Sequence, residues 1–174
     1  MQQFDSFGKF GRHLARVAAL GEQVTDHATD DAAKIVLRLT KAKFGHYQAA
    51  SGEFPGWEQL KPDTQAERAR QGYTPNDPLL RSGALRDSFG YSREGSHAAI
   101  GSDEMVAIWM EGGTETAPPR PSLGPAAFES RDLIAATTAA TLAAWICGLP
   151  WKRPQPLALP EMESAISEPQ NAAK

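Results

Sequence analysis

The chain has 174 residues, 41% of them hydrophobic, enough to bury one core of ordinary size; two full domains are not expected. Its 18 basic and 21 acidic side chains leave a net charge of -3, which supplies no general field toward polyanionic DNA and confines any nucleic-acid contact to local patches. The lone cysteine, Cys147, excludes an internal disulfide framework and a multi-cysteine metal site, and the N-terminus shows no basic-then-apolar export pattern.

From Arg12 to Tyr47 the apolar residues Leu14, Val17, Val24, Ala28, Ala32, Ile35, Leu39 and Phe44 recur at three- and four-residue steps, which predicts helix. Gly21 interrupts the pattern and Thr25 or Asp26 offers a cap for a restart, so one kinked helix and a pair of helices are both open. Ser51, Gly52, Pro55, Gly56 and Pro62 then make loop chemistry around Trp57 and Leu60. Thr64 and Glu67 have the spacing of a capping box, predicting a short helix that ends at Gly72.

Ser82 and Gly83 turn the chain into a helical turn through Leu85. Ser88 to Arg93 alternates as a strand does, Glu94, Gly95 and Ser96 suit a turn, and His97 to Gly101 is the return strand of a hairpin at about 88–101. Met105 to Met110 is uniformly apolar and too short for periodicity to choose between strand and helix. Pro118, Pro119, Arg120 and Pro121 exclude helix and central strand, and a C-terminal helix is expected over about 125–147, capped near Gly148. Its stretch from Ala135 to Cys147 falls short of the ~20 apolar residues that span a bilayer, so no membrane association is expected.

The pattern as a whole is α+β: a domain over 1–148, then an extended Pro-rich arm over 149–174. Leu149, Trp151, Leu157, Leu159, Met162 and Ile166 give that arm apolar anchors suited to a neighbouring subunit.

Catalytic chemistry finds little footing. Ser82 and Ser88 lack the glycine-flanked setting of a strained nucleophile, and His13, His27, His46 and His97 have no metal-ligand spacing. Gly112 and Gly113 lack the lysine and serine of a phosphate loop. Arg81, Arg86, Arg93 and Arg120 are interleaved with Asp77, Asp87, Glu94 and Glu111, which favours mutual pairing over phosphate contact. No catalytic residue, metal or cofactor is expected, and a hydrolase built on His46 or His97 with Glu111 has nothing to group it.

Residues 56 to 124 carry a resemblance. Pro78-Leu79-Leu80-Arg81-Ser82-Gly83-Ala84-Leu85-Arg86-Asp87-Ser88 is similar to the PLLxTGxLRxS signature of phage virion-morphogenesis and tail-completion proteins, the group of the Mu-like G protein and the lambda-like minor tail protein Z. Ile100-Gly101-Ser102 resembles that family's VGS strand end, Ala107 to Thr114 its A-x-x-x-E-x-G-T turn, Pro118 to Gly124 its PARPFLG loop, and Gly56-Trp57-Glu58-Gln59-Leu60 with Thr64 its GWxPLxxxT segment. Pro119 stands where alanine is usual and Ser122 where a large aromatic is usual.

The resemblance implies a virion structural protein that is not an enzyme. It would be a neck subunit forming a homo-oligomeric ring, sixfold rather than twelvefold, at the tail end of a tailed phage, and present in the host cytoplasm during assembly. Expected partners are a tail-terminator or tail-tube protein and the head-tail connector, with genomic DNA crossing the channel without sequence readout. Expected assembly residues are Trp57, Arg81, Arg86, Glu111, Arg120, Pro121 and Leu123 from the motifs, and Trp151, Leu157 and Leu159 from the arm. The alternative is a nucleic-acid-contacting assembly factor whose Arg81 to Arg93 region touches the genome.

Overall fold

The computed structural model describes residues 3–152. Its first element, α1 (Phe7–Ala42), is one continuous helix of 36 residues, about 54 Å long. It starts earlier than the apolar periodicity indicates because Ser6 caps it, the Ser6 hydroxyl accepting a hydrogen bond from the Lys9 amide at 3.3 Å. Gly21 does not break it. Glycine costs a helix interior about 1 kcal/mol relative to alanine, and packing outweighs that: the Trp145 indole lies over this turn and donates from Nε1 to the Val17 carbonyl at 3.1 Å. Thr25 caps no restart, donating instead to the Gly21 carbonyl at 3.0 Å within the same helix.

The next helix, α2 (Pro62–Arg70), begins two residues ahead of the expected capping box. Pro62 is pre-set for a first helical turn and Lys61 holds the N-cap position, so Thr64 and Glu67 lie inside the helix. At its end the Tyr73 amide donates to the Arg68 carbonyl and the Gly72 amide to that of Ala69, a Schellman closure that uses the left-handed φ of 80° at Gly72.

A single turn, α3 (Ala84–Ser88), leads into the hairpin of β1 (Phe89–Glu94) and β2 (His97–Ser102). The strands are antiparallel, with Phe89 opposite Ser102, Tyr91 opposite Ile100 and Glu94 opposite His97. The connection is therefore the two residues Gly95 and Ser96, with Gly95 at φ 54°, and Glu94 belongs to the strand. The face carrying Tyr91 and Arg93 turns toward α1: Tyr91 Oη donates to Asp30 Oδ1 at 2.8 Å, Arg93 pairs with Asp26 at 3.0 Å, and Thr29 Oγ1 donates to the Ser96 carbonyl.

The apolar run that periodicity leaves undecided is helix α4 (Met105–Gly112), ended by Gly113 at φ 76°. The C-terminal helix is two: α5 (Leu123–Glu129) and α6 (Arg131–Ile146), divided at Ser130. Ser130 is fully buried and its hydroxyl donates to the Ala127 carbonyl at 3.0 Å, a local bond that competes with the helical ladder. Gly148 closes α6 as expected, with the Leu149 amide on the Ala144 carbonyl and the Gly148 amide on that of Trp145.

The α+β architecture of the sequence pattern is thus observed, with α1 as its spine. Ile35 and Leu39 of α1 pack on Ala126, Leu133 and Ile134, while Phe44 packs on Phe89 and Ala107 with Leu79, Leu80, Leu85 and Leu123 around them. Leu79 holds a left-handed φ of 58°, which costs a non-glycine residue about 1–2 kcal/mol; its place in the second cluster offsets that. Among the described residues no helix is long and apolar enough to cross a membrane.

A candidate assembly surface

Two of the motif segments, 107–114 and 118–124, meet at one carboxylate. Glu111, in the last turn of α4, reaches the start of α5: its Oε1 accepts from the Ser122 amide at 2.7 Å, the Ser122 hydroxyl at 3.0 Å and the Leu123 amide at 2.6 Å, and Oε2 from the Gly124 amide at 3.5 Å. No side chain at the N-cap position does this work for α5, so Glu111 satisfies the orphan amides from a distance and places negative charge at the positive end of the helix.

The proline loop between Glu111 and Ser122 is fixed in the same way. The Arg120 amide donates to the Met110 carbonyl at 2.7 Å and its guanidinium to the Glu58 carbonyl at 3.0 Å. Trp57 Nε1 donates to the Pro121 carbonyl at 3.0 Å, and the Trp57 amide to that of Gln48 at 2.9 Å. Gly124 lets α5 approach the 51–56 loop, since a methyl there would fall 2.5 Å from the Phe54 ring. Lys43, buried near the end of α1, pairs with Glu129 of α5 at 2.7 Å and ties the spine to this knot.

The expected assembly residues therefore divide. Trp57, Arg120 and Pro121 are buried inside the subunit, Glu111 spends its carboxylate on α5, and Leu123 packs against the second core cluster. These five make the contacts described for them within the subunit. Arg81 is exposed, its guanidinium 5.4 Å from the centre of the Tyr73 ring. Arg86 is occupied by Asp87 at 2.8 Å; that hydrogen bond raises the arginine and lowers the carboxyl from their ordinary pKa values. Trp151 lies against the His27 ring at 5.4 Å between centres, on its own subunit. Leu157 and Leu159, like Met162 and Ile166, lie outside the described residues.

What motif reasoning misses is the exposed apolar surface. On α4 only Ala107 is buried, leaving Met105 59%, Ile108 66% and Trp109 49% exposed. Apolar side chains exposed side by side on one element, as distinct from scattered singly, are the kind of surface that marks interaction sites. The signal was present: a uniformly apolar helix of two turns cannot bury every side against a single core. A second apolar surface is a groove of about 500 Å³ between α1, β2 and α6. A third is the start of α1, where Phe7, Phe10 and Leu14 are exposed.

Beside the groove the electrostatics are local and structural. Burial would raise the Asp30 carboxyl, but hydrogen bonds from Lys34 and Tyr91 and the charges of Lys34 and Arg93 hold it below its ordinary value. Those two bonds in turn raise Lys34 and Tyr91. Among the described residues no group of three or more His, Cys, Asp or Glu is placed to hold a metal ion.

No family model matches the chain, and no curated protein or solved structure matches it. The likeness to phage tail-completion proteins rests on the motifs of residues 56 to 124 alone.

Proposed function

We propose that this protein is a structural subunit of a tailed-phage virion. It would act at the neck, assembling into a ring of identical copies that completes the tail end and meets the head-side connector. The observation that carries the proposal is the way the motif segments meet: Trp57, Glu111, Arg120 and Pro121 lock the proline loop to α5 and α4, and α4 then presents Met105, Ile108 and Trp109 outward. A rigid, internally satisfied support under an exposed apolar helix suits docking, because little conformational entropy remains to be lost on binding.

A ring requires two different faces of the subunit to meet. The groove between α1, β2 and α6 offers one face, and the exposed apolar surfaces of α4 and of the start of α1 offer others. The alternative, a genome-contacting assembly factor, has thinner support: Arg86 is paired with Asp87, Arg93 with Asp26, and Arg120 is turned inward.

Native mass spectrometry of the full chain and immunogold labelling of phage particles test the proposal. Oligomers of one closed size and label at the head-tail joint are expected. A chain that stays monomeric at high concentration and is absent from virions overturns it.

A further inference from the structure

We infer that the aromatic start of α1 in one copy docks in the α1-β2-α6 groove of the next copy. The inference rests on the ring proposal and names the contact that would build it. Phe7 is 88% exposed, Phe10 39% and Leu14 50%. Phe10 stands 5.4 Å from Phe4 and 6.5 Å from Phe7, so these rings form a small knob among themselves. At 100° per residue Phe10, Leu14 and Val17 fall on the face of α1 that further along carries Val24, Ala28 and Ile35. The apolar stripe thus runs the whole helix, yet among the described residues its own subunit first meets α1 near His13 and Val17, where Leu149, Trp151 and Trp145 lie. Ahead of that point the first turns of α1, about 9 Å of helix, lead out with Phe7 and Phe10 exposed among the described residues.

The groove is the counterpart. Ala28, Ala32, Ala98, Ile100, Ile134 and Leu142 line it, no charged side chain does, and the alanines leave room for a helix to approach closely. A chain cannot fill this groove with its own knob. Phe7 and Ala28 stand on one unbroken helix, 21 residues or about 31 Å apart, and that separation is fixed. The occupant is therefore a second copy, and a knob at one end of a rod meeting a groove at its middle is a head-to-tail contact that repeats from copy to copy.

Charge supports the same pairing. The start of the helix carries Lys9, paired with Asp5, and then Arg12 and Arg16, whereas from Val17 to Ala33 it carries Glu22, Asp26, Asp30 and Asp31 and no lysine or arginine. Asp26 and Asp30 are engaged by Arg93 and Lys34 and Asp31 lies beside His27, which leaves Glu22 to meet the incoming Arg12 and Arg16. Asp31 lies 3.4 Å from His27, a pairing that adds positive charge only when the imidazole is protonated.

The test uses the full chain with Cys147→Ser as background, Phe10→Cys in one preparation and Ala32→Cys in another. Oxidation of the mixture is expected to give a disulfide-linked heterodimer absent from either preparation alone, and both substitutions in one chain a ladder of linked copies. Phe7→Ser with Phe10→Ser is expected to weaken self-association roughly a hundredfold or more, since two buried phenyl rings are lost from the contact. Circular dichroism should not change, because these side chains are exposed in the subunit. Oligomers that form normally without the cross-link, or with the double substitution, overturn the inference and leave the ring standing. Self-linking of Phe10→Cys alone, or capture of Ala32→Cys by Leu157→Cys instead, also overturns it. A wild-type chain that never associates removes the ring and the inference together.

Discussion

Replacing Glu111 by alanine removes the acceptor for the Ser122 and Leu123 amides, at 2.7 and 2.6 Å, and for the Ser122 hydroxyl at 3.0 Å. Ser122 is only 3% exposed, so water does not readily take the place of the carboxylate. A buried donor left unpaired costs about 1–3 kcal/mol, and loss of a helix cap about 1 kcal/mol. These overlap, so Glu111→Ala is expected to destabilise the subunit by about 3 kcal/mol. Glu111→Gln keeps an oxygen for the shared site and loses the charge that favours the α5 N-terminus, a loss of about 1 kcal/mol. Urea unfolding of the variants at one low protein concentration separates the cases, with a fall in midpoint at constant slope. Glu111→Ala within about 0.5 kcal/mol of wild type, or Glu111→Gln as damaging as Glu111→Ala, would refute the account of Glu111 as a remote cap.

Gly124→Ala places a methyl 2.5 Å from the Phe54 ring and is expected to lower the melting temperature by several degrees, reflecting an overpacking cost of about 1–3 kcal/mol; an unchanged melt would show that the 51–56 loop yields freely. Asp30→Asn is expected to cost about 1–2 kcal/mol at neutral pH through weakened bonds to Tyr91 and Lys34. The folded carboxyl lies below its ordinary 3.8, so this contribution is present above that pH and is lost as pH falls through the folded value. Wild type and variant should therefore converge in acid, and a gap that stays constant as pH falls would contradict the assignment. Ile108→Asp, on the exposed side of α4, is expected to leave monomer stability within about 0.5 kcal/mol of wild type while reducing association in sedimentation. Unchanged association would remove α4 from the assembly surface.

The helices and the hairpin were legible because their signals are local. Alternation over Phe89 and Tyr91, glycine at Gly95 and the stop at Gly148 each act within a few residues. What misled was also local. Gly21 and the Thr64-Glu67 spacing each obey a rule that the surroundings override: Trp145 packs over Gly21, and Pro62 starts α2 early. The site divides the same way. The motifs marked residues of consequence but not their direction, because whether Arg120 or Trp57 faces a neighbour or its own backbone depends on the fold of residues 62 and 64 positions away in sequence.

That inward orientation bears on how such a subunit could assemble. If the motif residues met the neighbour directly, their loss would weaken association and spare the fold. Here Glu111 belongs to the same two-turn helix that exposes Ile108 and Trp109, and the Arg120 amide holds the Met110 carbonyl of that helix. The contacts fixing α5 and the proline loop thus also fix which way α4 presents its apolar side. A mild lesion such as Glu111→Gln leaves most of the folding free energy in place yet loosens that orientation, and binding that depends on a preorganised face falls with it. At equal cost in stability, Glu111→Gln should therefore weaken association more than a change in the Ile35-Leu39 cluster, such as Ile35→Val, where α4 is not a neighbour.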